Sequence, residues 1–183
     1  MTDFLDSLNR KLIVLTAITP GESKTIRSAQ FTDPDAAMTW ARERNAEGFN
    51  DYWTVNVTKD VSDKLAEGKR PSAEDVESIF AFKLDIDPVR AKNTSATDAE
   101  KGFTQEKVLI PLLMFIKKNL GVNAMVVDSG NGFNVLVRFE PSAEVNKDFQ
   151  RTCETLMDFL AAKFNVKDVA LLDTSVKDLP RVL

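Results

Sequence analysis

The sequence has no histidine. That absence excludes Ser-His-Asp triads, histidine general bases and histidine-ligated zinc. Its single cysteine, Cys153, excludes an intrachain disulfide and a zinc finger. The run "FQRTCETLMDFL" sets Cys153 on the apolar side of a helix, as a buried thiol rather than a nucleophile. Long hydrophobic runs are missing too: "VLIPLLMFI" falls well short of the roughly 20 residues a membrane span requires. The opening "MTDFLDSLNRKLIVLTAITPG" has early acids and no small-residue cleavage site, so it does not read as a signal peptide. A cytoplasmic location with no membrane partner is expected. Nor is there an excess of positive charge. The net charge is −4, so any nucleic-acid contact must be a local patch.

What is present is ordinary globular composition, 43% hydrophobic and 28% charged over 183 residues. That length suits one substantial domain, or two small lobes sharing a core. No internal repeat is visible. "DPDAAMTWARERNA" predicts a helix capped by Asp33 or Asp35, and "DYWTVNVT" alternates as a half-buried strand does. A polar stretch then leads to a strand, "IFAFKLDID". "PVRAKNTSATDAEKG", Pro88 to Gly102, is small, polar and unpatterned, and predicts a mobile surface loop. "TQEKVLIPLLMFIKKNLG" predicts a helix stopped by Gly121, with Pro111 either kinking it or marking its first turn. "VNAMVVDSG" and "FNVLVRFE" predict a hairpin turning at Asn131-Gly132. A helix follows, with Val145, Phe149, Cys153, Leu156, Leu160 and Phe164 on one stripe, and "VKDVALLD" is a last strand. This order predicts an α+β fold with helices packed on a mainly antiparallel sheet.

Three stretches carry the chemistry. In "FAFKLDID" strand alternation places Phe80, Phe82, Leu84 and Ile86 on one face, and Ala81, Lys83, Asp85 and Asp87 on the other. Two carboxylates so spaced suit one or two Mg²⁺ ions, which take few carboxylates plus water and phosphate oxygens. The same motif is equally a solvated strand end with Lys83 neutralising one acid. In the hairpin, a two-residue turn sets Gly130 opposite Phe133, and Ser129 opposite Asn134, with Arg138 further along the same face. Such donors, beside glycine-flanked turn N–H groups, can hold a phosphate; an ordinary hairpin with a polar outer face has the same pattern. In "VALLDTSVKDLPRVL" an apolar strand ends at Asp173, with Lys177 and Arg181 beyond.

Together, and in this order, these stretches resemble the archaeo-eukaryotic primase superfamily, specifically the primase-polymerase domains of phages and plasmids. "FAFKLDID" resembles its strand ending in D-x-D, "SGNGFN" its Ser-Gly-x-Gly-x-His hairpin, and "ALLD" its strand ending in Asp. "WARERNAEGFNDYWTVNV" resembles the helix and strand that precede the first motif. The resemblance implies an RRM-like sheet, about residues 76–183, joined to an N-terminal α/β lobe, about residues 1–75. It implies Asp85, Asp87 and Asp173 as catalytic metal carboxylates for Mg²⁺ or Mn²⁺. Ser129, Gly130, Gly132, Asn134, Lys83, Arg138 and Arg181 would surround the nucleotide. NTPs or dNTPs, a single-stranded DNA template, and a helicase domain or protein are the implied partners, in primer synthesis or extension during replication.

The sequence departs from that family in two places. The family histidine is Asn134, and loss of a charge-assisted contact to the triphosphate typically costs about 1–3 kcal/mol. The family also continues past "LPRVL" through a basic Pro-Gly-Thr segment, so a C-terminally shortened chain is expected. Asn134 leaves open an RRM-like module that binds nucleotide or single-stranded nucleic acid without turnover. "EGKRPS" and "IKKN" are candidate template contacts, although neither has the interleaved aromatics of a stacking platform. "DIDPV" also fits the D-x-D-x-V of haloacid-dehalogenase-like phosphatases, but it stands far from the N-terminus and no acidic pair follows "ALLD".

Overall fold

The structure is a computed structural model that describes residues 11–91 and 94–174. It is a mixed α+β protein whose assigned strand registers are all antiparallel. The chain divides into two compact units, the first reaching Ile79 and the second starting at Phe80.

In the first unit, β1 (Ile13–Ile18) lies between β2 (Ile26–Phe31) and β3 (Asn50–Trp53). As the central strand it is covered on both faces, and Ile13 to Ala17 are all buried. Helix α1 (Pro34–Ala46) starts where expected. The Asp33 carboxylate accepts the N–H groups of Asp35 and Ala36, and Pro34 fills the first turn, where a missing N–H costs nothing. A short α2 (Ser62–Ala66) packs Val61 and Leu65 against Val14. The expected strand "DYWTVNVT" is two strands in different sheets, β3 and then β4 (Val57–Thr58). β4 pairs with the opening of β5 (Val76–Pro88), Val57 opposite Ser78 and Thr58 opposite Val76 across an irregular register.

In the second unit β5 continues beside β7 (Phe133–Glu144), β7 pairs β6 (Met125–Asp128), and β8 (Ala170–Leu172) pairs the end of β5. Phe82, Leu84, Ile86, Phe133, Val135, Val137, Ala170 and Leu172 enter one core cluster, at the period-two spacing a sheet face demands. Two helical segments complete it: Val108, Leu109, Leu112 and Ile116 from one, Met157, Leu160 and Ala161 from α5 (Lys147–Phe164).

The predicted mobile loop over Pro88–Gly102 needs correction. Its last residues belong to α3 (Asp98–Thr104), because Thr97 and Glu100 form a reciprocal capping box: each side chain accepts the other's backbone N–H. The helix then widens into a π-turn (Gln105–Leu109) and continues as α4 (Ile110–Leu120). Pro111 occupies the first turn of α4, and Gly121 ends it at φ +70°.

Candidate functional site

β5 delivers the acids, and β8 fixes what they meet. Ile86 lies opposite Leu172 and Asp87 opposite Leu171. One step on, the Asp173 N–H donates to the Asp85 carbonyl at 2.8 Å, which continues that register. Directly opposed residues of an antiparallel ladder project to the same face, with Cβ atoms about 4.5–5.5 Å apart. Ile86 and Leu172 are both core residues, so Asp85 and Asp173 project to the opposite face, together with Asp87. All three aspartates are half-buried.

The hairpin reaches the same strand through Gly132. A Cβ at Gly132 would lie 2.4 Å from the Ile86 carbonyl oxygen and 3.0 Å from the Asp87 carboxylate. Only a residue without a side chain permits this approach. Two further contacts hold the loop in place. Arg90 Nη1 donates to the Asn131 carbonyl at 3.3 Å, and the Ala96 N–H donates to Asn131 Oδ1 at 3.0 Å.

The expected two-residue turn at Asn131-Gly132 is not formed. Asp128 pairs with Phe133, and Asn134 with Val127, leaving a four-residue loop from Ser129 to Gly132 closed by a Ser129 N–H to Gly132 carbonyl bond of 3.0 Å. Ser129 and Asn134 are therefore not cross-strand neighbours, and Gly130 is not opposite Phe133. The cause is local. The Asp128 carboxylate accepts the Gly130 N–H at 2.8 Å, and Gly130, at φ +85°, takes the positive dihedral that the expected turn would have required at residues 131 and 132. Lys101 donates to the same carboxylate at 2.7 Å. The Lys101 ammonium first, then the Gly130 N–H, hold the Asp128 carboxyl below its ordinary range.

The remaining predicted residues separate. Lys83 is buried at 9% exposure, with its ammonium 3.7 Å from Asp85 Oδ2. Asn134 is also buried, at 6% exposure, and its Oδ1 has no hydrogen-bond partner. Arg138 is engaged elsewhere: its guanidinium lies 4.9 Å from the Phe80 ring centroid and 2.9 Å from Glu140. Arg181 lies outside the described residues. Sequence reasoning missed Arg90, 3.6 Å from the Asp87 carboxylate, and the Asp128–Lys101 pair. An aspartate two residues before a glycine was the available signal for the loop.

The donors are carboxylate oxygens, with no imidazole in the chain, which is the chemistry of a hard cation. Among the described residues no three acidic or thiol side chains are arranged as a preformed metal cage. Magnesium needs only one or two carboxylates, its other positions going to water and phosphate, and the opposed Asp85 and Asp173 fit that demand. None of the described helices is long and apolar enough to cross a membrane. No family model matches the chain, and no curated protein matches it.

Proposed function

We propose that this chain is a metal-dependent nucleotidyltransferase of the primase-polymerase type, joining NTPs or dNTPs on a single-stranded DNA template. The observation that carries the reading is the antiparallel step opposing Asp173 to Asp85, with the glycine loop against Asp87. Asp85 and Asp173, with Asp87 beside them, would hold Mg²⁺ or Mn²⁺. When bound, the ion supplies Lewis acidity toward the triphosphate and the attacking 3′-hydroxyl.

The chain's own residues would orient the nucleotide. The Asn131 N–H and the exposed Ser129 hydroxyl are donors for phosphate oxygens. The Asn134 amide donates without carrying charge. Arg70 of "EGKRPS", and Lys117 and Lys118 of "IKKN", are exposed cations that a template backbone could meet, and Lys69 is exposed but paired with Glu67. Nucleotidyl transfer asks for no histidine base, which agrees with the composition.

The test is incorporation of labelled nucleotides on a single-stranded template with Mg²⁺ or Mn²⁺. Product is expected from the native chain and none from Asp85→Ala; product that survives this substitution refutes the reading. A second reading, a nucleotide-binding module without turnover, draws on the Lys83 ammonium beside Asp85 and on Asn134 in the histidine position. It is distinguished by triphosphate binding in the absence of any product.

A further inference from the structure

We infer that Lys83 is a built-in cation at the candidate site, competing with a divalent ion for Asp85 and weakening cation binding there. The inference rests on the metal-binding reading above and goes beyond it by assigning Lys83 a role against the metal rather than toward the nucleotide.

Three observations support it. Lys83 precedes Asp85 by two residues on β5, so both side chains leave the strand on one face. Its ammonium is 3.7 Å from Asp85 Oδ2, too long for a firm hydrogen bond and well within Coulomb range. Only 9% of the Lys83 side chain is exposed, whereas Asp85 keeps 24% of its surface open. A buried ammonium must stay close to compensating charge or carbonyls, because isolation in a low-dielectric site is costly. The cation is thus fixed in the protein while the carboxylate remains open to solvent. An incoming Mg²⁺ or Mn²⁺ meets an Asp85 whose charge is already partly offset. Arg90 stands in a similar relation to Asp87, at 3.6 Å, but it is bound to three backbone carbonyls and lies nearer the surface.

The consequence is specific. Replacing Lys83 by a neutral side chain of similar length should strengthen divalent-cation binding by about tenfold, the scale on which one adjacent unit charge shifts a carboxylate equilibrium. Mn²⁺ alone is the probe, with no nucleotide present, and the fraction bound is counted from the loss of the free-ion paramagnetic resonance signal. The native chain, Lys83→Met, Lys83→Gln and Asp85→Asn are compared. Thermal unfolding of each with and without Mn²⁺ provides a second readout. Tighter binding and a larger Mn²⁺-induced rise in melting temperature are expected for Lys83→Met. Lys83→Gln should behave likewise, and serves if the methionine variant does not fold. Unchanged or weaker Mn²⁺ binding in the folded Lys83 variant overturns the inference. Asp85→Asn separates the two levels of the argument: if it leaves Mn²⁺ binding unaltered, the metal reading itself fails. If it abolishes binding while the Lys83 variants match the native chain, only the role of Lys83 fails. If both Lys83 variants unfold, Lys83→Met combined with Asp85→Asn removes both charges; failure of this neutral pair to restore folding also overturns the inference, since the lysine would then be held by something other than Asp85.

Discussion

Gly132 presses against Ile86 so closely that a single added carbon would stand 2.4 Å from the Ile86 carbonyl oxygen. The obstacle is main chain, so it cannot rotate aside. Gly132→Ala is expected to cost about 1–3 kcal/mol, the usual range for overpacking, measured as a lower urea midpoint. Gly130→Ala meets open space and pays only for its φ of +85°, about 1 kcal/mol. Equal losses at the two glycines would contradict the close approach.

Asp173 separates main-chain from side-chain roles. Its N–H makes the ladder bond to Asp85, and Asp173→Asn keeps that N–H. The Asp173 amide should therefore stay protected from exchange, while nucleotide incorporation falls to background. A large shift in the unfolding midpoint would mean that the carboxylate itself supports the fold.

Asp128 ties the loop to α3. With its carboxyl held low by Lys101 and the Gly130 N–H, Asp128→Ala removes both anchors. Faster amide exchange at residues 129–132 is expected, with little change in the core strands. Unaltered exchange there would show that the Arg90 and Asn131 contacts hold the loop alone.

Asp75 sets an acid limit on the first unit. The Lys64 ammonium first, then the Ser72 N–H, lower its carboxyl to about 2. A depressed folded value contributes stability that is complete above the ordinary carboxyl range and lost as pH falls toward 2. With solvent screening the contribution is about 1 kcal/mol. Asp75→Asn should lower the urea midpoint at pH 7 and flatten its decline between pH 4 and 2. Parallel pH curves for the two proteins would refute the assignment.

Cys153 is half-buried on α5, and its thiol is pushed up, by burial first and by Glu154 second. Its reaction with an aromatic disulfide reagent at pH 8 should be slower than that of glutathione and should accelerate on adding denaturant. Reaction as fast as a free thiol would contradict the packing.

Legibility followed the range of the interactions. The core side of β5 and the stripe of α5 were readable because Phe82, Leu84 and Ile86 enter the core at period two, and Cys153, Leu156, Leu160 and Phe164 meet it at helical spacing, whereas Val145, expected on that stripe, precedes the helix and is exposed. The hairpin's faces were readable as well, because the register moved by two residues and alternation survives an even shift. The turn itself was misread: Asn-Gly favours a tight reversal, yet the Asp128 carboxylate and the Lys101 ammonium, from a distant helix, stabilise a longer one. β1 and β2 were not identified, although "KLIVLTAI" is a buried central strand flanked by the alternating "IRSAQF". The capping box at Thr97 was legible as T-x-x-E and was masked by the polar composition around it. That Gly132 touches β5 could not be read, because closeness between distant segments leaves no periodic trace.

The π-turn at Gln105–Leu109 keeps the two helical segments on either side of it in step. In a regular α-helix a surplus residue would rotate everything after it by roughly 100°, one residue's share of a helical circuit; the wider turn takes up that residue instead. Thr104 before it, Val108 within it, and Leu112 and Ile116 after it are all buried. Removing one residue here would re-thread the turn as regular helix with both flanks still facing inward, whereas adding one more would swing one flank into water. This part of the chain forgives a loss more readily than a gain, unlike an ordinary connecting loop, which tolerates both.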